Sequence, residues 1–201
     1  MTPTASREGE SPAPSPRWRP AHVGRAASLR RRAIGASPSA LLVPVPVAAP
    51  LVPPRADDLP PHVTVLYPFL PARQIDHRLP SAVAEALARI GPFDFELAEV
   101  GRFPPNVLYL APEPAEPFVA MTQACVRRWP DHPPYGGMFA KVIPHLTLVE
   151  GPEPPGLADR AATALPLRAR AEEVWLMSRS PRGRWRHRAT IPLPGAPPEA
   201  R

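Results

Sequence analysis

The sequence predicts an α+β fold built from two similar halves that face one another. Three observations predict it. A six-residue pattern occurs twice, as Pro61-His62-Val63-Thr64-Val65-Leu66 and as Pro144-His145-Leu146-Thr147-Leu148-Val149. Both copies alternate apolar and polar residues as strands do, and segments of helical period are interleaved with them along the chain. A chain of 201 residues has room for one sizeable domain or for two small halves sharing a core, and a repeat spaced this way favours the second.

Residues 1–38 are rich in Ser, Pro, Ala and Arg, show no sustained period and cannot bury enough surface to offset the entropy of ordering. They are expected to form a disordered basic tail, followed by one folded domain over 39–195 and a short tail over 196–201. The domain opens with a strand over 41–47, whose prolines shorten it or confine it to a sheet edge. An irregular proline-rich link over 48–61 leads to a strong strand over 62–69. His62, Thr64 and Leu66 lie on one face of that strand, and Val63, Val65 and Tyr67 on the other. Ser81 is placed to cap a helix that reaches Ile90, with Val83, Leu87 and Ile90 as its apolar stripe and Gly91-Pro92 as its stop.

Alternation over 93–100 and 107–110, split by Pro104-Pro105-Asn106, predicts a hairpin. A second helix covers 118–129 and stops before Pro130, and a loop rich in Pro and Gly follows over 131–137. The second copy of the motif sits in a strand over about 142–150. A short helix over 157–165, a strand over 169–178 and a hairpin partner over 184–193 complete the set, with Ser180-Pro181-Arg182-Gly183 as the last turn.

The net charge of +6 invites a nucleic-acid partner, but its location matters more than its size. Seven arginines in the tail stand against Glu8 and Glu10 and account for +5 of it, so the body is nearly neutral. The run Arg30-Arg31-Arg32 is the tail's candidate contact for RNA or acidic lipid. A single cysteine, Cys125, excludes an internal disulfide and a thiolate metal cluster, and its helical surroundings predict a packed thiol. No apolar run reaches the roughly 18 residues of a membrane span. The expectation is a cytoplasmic monomer with no membrane association and no stable protein partner.

Residues i and i+2 of a strand share a face, so His62 projects with Thr64 and His145 with Thr147. Prolines 61 and 144 keep the preceding residues extended and prevent a helical start before each histidine. Side by side, the two strands present two imidazoles and two hydroxyls to one cleft. That set suits in-line displacement at phosphorus: a neutral imidazole takes the proton of the attacking oxygen and a protonated one gives a proton to the departing oxygen. Thr64 and Thr147 then donate to the non-bridging oxygens, where charge grows. The residues do not say which histidine is acid and which is base.

Other chemistries fit less well. Two histidines with Glu150, or with Asp57 and Asp58, could ligate a metal, but no metal-binding spacing appears and neither a metal nor a cofactor is implied. There is no Gly-x-Ser-x-Gly elbow and no Gly-rich phosphate loop. His22, His77 and His132 are expected to face solvent. Arg184, Arg186 and Arg188 share one face of the last strand and Trp185 and His187 the other, so the arginines form either a solvated face or a positive wall beside the cleft. Tyr135 and Phe139, on the loop before the second motif, are candidates to touch a base, and Lys141 to touch phosphate, whereas Tyr67 and Phe69 suit the core or its rim.

With Pro61-His62-Val63-Thr64-Val65-Leu66-Tyr67-Pro68-Phe69, Ile143-Pro144-His145-Leu146-Thr147-Leu148 and the opening strand Leu41-Leu42-Val43-Pro44-Val45-Pro46, the chain resembles the 2H phosphoesterase superfamily over residues 40–194. That superfamily includes the bacterial 2'-5' RNA ligases and RNA 2',3'-cyclic phosphodiesterases. The resemblance implies a bilobal α+β fold, with two pseudo-twofold-related lobes whose antiparallel sheets line a central cleft and whose helices lie outside. It implies metal-free hydrolysis of 2',3'-cyclic phosphate ends of RNA or nucleotides to 2'-phosphates, with 2'-5' ligation as the reverse. By the same resemblance His62 and His145 are the acid and base, and Thr64 and Thr147 hold the phosphate. Members commonly carry a helix between the opening strand and the first motif, whereas residues 47–61 here contain five prolines and leave little room for one. The alternative is a non-catalytic protein that binds nucleotides or RNA ends.

Overall fold

The computed structural model describes residues 37–139 and 141–195. Residues 1–36 and 196–201, which hold nearly all of the two expected tails, lie outside the described residues. Ser37 and Pro38 join the body: the Ala72 N–H donates to the Ser37 carbonyl at 2.7 Å, and Pro38 bridges to Pro71.

Among the described residues eight strands form one antiparallel sheet. They are β1 (Ser39–Pro44), β2 (His62–Leu66), β3 (Phe93–Phe103), β4 (Val107–Glu113), β5 (Leu146–Glu150), β6 (Leu167–Ala171), β7 (Glu173–Arg179) and β8 (Trp185–Pro192), in the spatial order β6-β3-β4-β5-β2-β1-β7-β8. The sheet divides into two four-stranded halves, β5-β4-β3-β6 and β2-β1-β7-β8, that meet where the two motif strands lie side by side. The expected α+β architecture of two related halves is therefore present, but the halves are not consecutive in sequence. The chain begins in the β2 half, crosses to the β5 half for β3 to β6, and returns for β7 and β8.

The return is abrupt. Glu172 alone joins β6 to β7, six places apart in the strand order. In a flat sheet they would be about 29 Å apart, and one residue spans only about 3.5 Å, so the sheet curls strongly. This also corrects the single strand expected over 169–178. Leu167, Ala169 and Ala171 alternate in one phase and Val174 and Leu176 in the other, so the break falls at Glu172.

Among the described residues three α-helices, α1 (Leu79–Ala86), α2 (Glu116–Arg128) and α3 (Leu157–Ala164), cover one face of the sheet and close the main core. In α2, Phe118, Met121, Thr122 and Cys125 form the buried stripe. Glu116 in its first turn and Arg127 and Arg128 in its last complement the helix dipole. The cap of α1 is Asp76, not Ser81: its Oδ1 accepts the N–H groups of Arg78 and Leu79, both at 3.0 Å. Cys125 is buried as expected, and burial pushes its thiol up to about 12.

The prolines shorten β1 without moving it to an edge. It lies between β2 and β7 and ends at Pro44, after which Val45 donates to the Pro61 carbonyl at 2.8 Å. Beyond it comes a short 3-10 turn, Pro46–Ala48, and then an irregular loop in place of a helix. Among the described residues no helix is long and apolar enough to cross a membrane.

Candidate active site

The site is built on the seam between the halves. Val63 of β2 pairs with Leu146 of β5, and both side chains are buried in the main core. Counting outward along antiparallel strands, His62 then stands opposite Thr147 and Thr64 opposite His145, on the face away from the helices. Each imidazole is thus flanked by its own threonine along the strand and by the other motif's threonine across it. The ladder of β5 starts at Leu146 instead of the expected 142, so His145 sits one residue before the strand. Pro144, with no N–H to give, keeps that approach out of the ladder.

The two histidines are held alike. His62 Nδ1 lies 2.7 Å from the Pro60 carbonyl, and His145 Nδ1 lies 2.7 Å from the Ile143 carbonyl. A carbonyl oxygen only accepts, so each Nδ1 carries a proton and each Nε2 is the nitrogen available for proton exchange. Burial is the main cause that lowers His62 from its ordinary value to about 4. The Pro60 hydrogen bond opposes it, the positive charges of Arg55 and His145 add to it, and Asp57 opposes again. His145 is also lowered by burial, against its bond to Ile143.

The walls differ between halves. Beside His145, Phe103 and Tyr109 stack with ring centres 4.1 Å apart, and both meet the imidazole edge-on, at 4.9 and 5.5 Å. Tyr109 pairs across the sheet with Thr147 on one side and with Gly101 on the other. Its ring lies where a Cβ on residue 101 would be, 2.2 Å from Tyr109 Cζ, so only glycine fits there. In the other half the matching neighbours of Thr64 are Leu42 and, beyond it, Trp175, whose Nε1 donates to Glu173 at 2.5 Å. A second, smaller apolar cluster of Ala40, Leu42, Met177 and Trp185 covers this part of the face, with Leu59, Tyr67 and Trp175 packed on it. Phe103 did not emerge from the sequence because the strand expected over 93–100 stops short of it, and Tyr109 did not because alternation within the strand expected over 107–110 leaves open which face meets the site. Gly101 within a strand-like stretch was the available signal, since a strand glycine often marks a close approach.

The remaining candidates are placed as follows. Tyr135 is half-buried, burial pushes its hydroxyl up to about 12, and its ring meets Phe139 edge-on at 5.4 Å. Its N–H donates to the Tyr67 carbonyl at 2.6 Å, which ties the loop before His145 to the end of β2. Phe139 and Lys141 are exposed on that loop. Arg184 is ion-paired with Asp58. Arg186 pairs with Ser178 and alternates to the face opposite Met177 and His187, so the structure turns it away from the histidines. Trp185, His187 and Thr190 of β8 lie on the site face: Trp185 packs on Tyr67, and His187 meets Trp175 edge-on and lies 3.0 Å from the Thr190 hydroxyl. Among the described residues no three His, Cys, Asp or Glu side chains converge to hold a metal ion.

A model of the 2'-5' RNA ligase superfamily matches residues 43–183 of the chain. No curated protein matches it in sequence. Among solved structures, the chain is similar to the protein TT0787 of Thermus thermophilus, at 22% identity and a TM-score of 0.53 over 79% of this chain and 98% of that one. It is also similar to the apo form of Escherichia coli LigT, at 17% identity and a TM-score of 0.51 over 77% of this chain and 96% of LigT. A further structure described as a phosphoesterase matches at 18% identity and a TM-score of 0.50, over 79% of this chain and 98% of that one. At these identities the likeness concerns the fold.

Proposed function

The chain belongs to the 2'-5' RNA ligase superfamily, and from that membership we propose that it is a metal-independent phosphodiesterase that hydrolyses 2',3'-cyclic phosphate ends of RNA or nucleotides to 2'-phosphates. The observation that carries this reading is the seam, which sets His62 across from Thr147 and Thr64 across from His145 with both Nδ1 atoms held by carbonyls.

His62, the imidazole held lower, is neutral near pH 7 and takes the role of base through Nε2. It removes a proton from water as the water oxygen bonds to phosphorus. On the opposite side the bond from phosphorus to the 3' oxygen breaks, and His145 Nε2–H gives that oxygen its proton. Thr64 and Thr147 donate to the non-bridging oxygens as their charge grows. The same steps with a 5' hydroxyl in place of water as the attacking oxygen make a 2'-5' linkage, and their reverse, with the 3' oxygen attacking and the 5' oxygen leaving, cleaves it. Tyr135 and Phe139 are assigned to the base of the substrate and Lys141 to solvent-side phosphate.

The test is release of 2'-phosphate from a panel of 2',3'-cyclic nucleotides, RNA with a cyclic end and 2'-5'-linked dinucleotides, before and after exhaustive EDTA treatment. Turnover is expected to survive EDTA, and His62→Ala and His145→Ala are each expected to lose on the order of 100-fold or more with the fold intact by circular dichroism. Full activity in either variant would sink the two-histidine mechanism. Affinity for the cyclic nucleotide without any turnover would instead favour a protein that only binds RNA ends.

A further inference from the structure

The loop between β1 and β2 is an irregular segment pinned on the face of the sheet that carries the site. We propose that Arg55, carried on this loop and aimed by Asp57, is the cation that binds the phosphate oxygens of the substrate. The inference deepens the phosphoester reading and rests on it.

Both ends of the loop leave from beside His62. Pro44 pairs with His62 across the sheet, and Val45 donates to the carbonyl of Pro61, the residue before His62. The body of the loop lies on the site face. Leu59 packs on Ala40, Leu42, Met177 and Trp185, the apolar cluster opposite the helices, and the Asp57 carbonyl accepts the Trp185 N–H at 2.8 Å. Asp58 is ion-paired with Arg184. With Asp57, Asp58 and Leu59 all fastened there, Arg55 is carried on the same face as His62 and Thr64.

Its guanidinium is also oriented. Arg55 Nε donates to Asp57 Oδ1 and Nη2 to Oδ2, each at 3.1 Å, and the same Oδ1 accepts the Leu59 N–H at 3.3 Å. A guanidinium carries five N–H donors. This fork uses two, so three remain for an anion, among them both on Nη1. The positive charge of Arg55 acts on His62, and more strongly than the opposing charge of Asp57. Of the other arginines in close ion pairs with carboxylates among the described residues, Arg184 is held by Asp58 of the same loop, whereas Arg102, bound to Glu153 beside α3, and Arg170, bound to Asp94 on the edge strand β6, are elsewhere. Arg55 was overlooked in the sequence because its place depends on how a proline-rich loop folds back, which no period reports.

The alternative is that the Arg55–Asp57 pair only staples the loop. Inorganic phosphate, titrated while the ring signals of His62 and His145 are followed by NMR, separates the two. Arg55→Ala is expected to weaken phosphate binding about tenfold or more, to move the His62 titration to higher pH because a nearby cation is lost, and to raise KM for a 2',3'-cyclic nucleotide more than it lowers kcat. Arg55→Gln, which keeps donors for Asp57 and so the staple, is expected to lose phosphate as Arg55→Ala does, and Arg55→Lys to recover part of it. Arg168→Ala, on the exposed edge strand, serves as the unchanged control. Wild-type affinity in Arg55→Gln overturns the inference, as does a wild-type protein whose imidazoles ignore phosphate. If no cyclic nucleotide is turned over while phosphate binding still depends on Arg55, the inference stands and the hydrolytic reading falls. If cyclic nucleotide is turned over with KM unchanged in Arg55→Ala and in Arg55→Gln, the hydrolytic reading stands and the inference falls.

Discussion

Each imidazole exchanges protons through Nε2 alone, because Nδ1 of each is committed to a backbone carbonyl two residues upstream. The proline between histidine and carbonyl, Pro61 or Pro144, helps hold that geometry by restricting the residue before it to extended backbone. A base must be unprotonated and an acid protonated. With His62 as base, kcat/KM is expected to rise as pH climbs through about 4 and to fall through the titration of His145, which lies below the ordinary 6.5. The maximum should therefore fall in mildly acid solution; an optimum above pH 7.5 would refute the assignment. Stability carries the same signature. A histidine whose folded value is depressed contributes fully above its unfolded value and loses that contribution as pH falls toward the folded one, here from 6.5 to about 4. The loss amounts to up to about 3 kcal/mol, and a urea titration of His62→Asn should show a flatter dependence over that window. At this scale the motif residues were legible, because strand period 2 alone puts His and Thr on one face. Arg184 and Arg186 were not, since the same period leaves open which face of β8 meets the site.

Among the elements, α2 and β2 are joined by a buried hydroxyl. Thr122 Oγ1 donates to the Val65 carbonyl at 2.8 Å and also lies 3.1 Å from the Phe118 carbonyl one turn back. Thr122→Val keeps the shape and leaves the Val65 carbonyl short of a partner, so it is expected to cost about 1–3 kcal/mol in equilibrium unfolding. Because Val65 is the next residue after Thr64, turnover should also drop, and a variant as stable and as active as wild type would show that the bond is idle. The helices were legible from their stripes and stops to within a few residues. Two strand assignments were not. β1 has prolines yet is interior, which is tolerable because Pro44 ends the strand where no ladder N–H is required. The break at Glu172 was written in the phase change between Ala171 and Val174, but its meaning, a crossing between halves, has no local signal.

For the whole molecule, the two halves touch through a thin seam in which one registered pair, Val63 with Leu146, sits beneath the site. Leu146→Ala, at a fully buried position, is expected to cost about 2–5 kcal/mol by thermal unfolding and to reduce turnover by more than it reduces phosphate binding at either half. Equal losses of both would argue that the seam is not what holds the histidines in register. Charge is divided differently from structure: residues 1–36 carry seven arginines and two glutamates, +5 of the total +6. A protein beginning at Ser37, which keeps the carbonyl used by Ala72, should retain its turnover of a cyclic mononucleotide. The two Pro-His-x-Thr strands, the α+β class and most helices are readable from residue order, because each follows from the period of side chains along a local stretch. Tertiary contacts alone make the motifs neighbours in antiparallel register, assemble the β2 half from both ends of the domain, and lay the loop that carries Arg55 on the site face. Those depend on contacts between residues far apart in the chain, which the curl of the sheet brings together and no local pattern encodes.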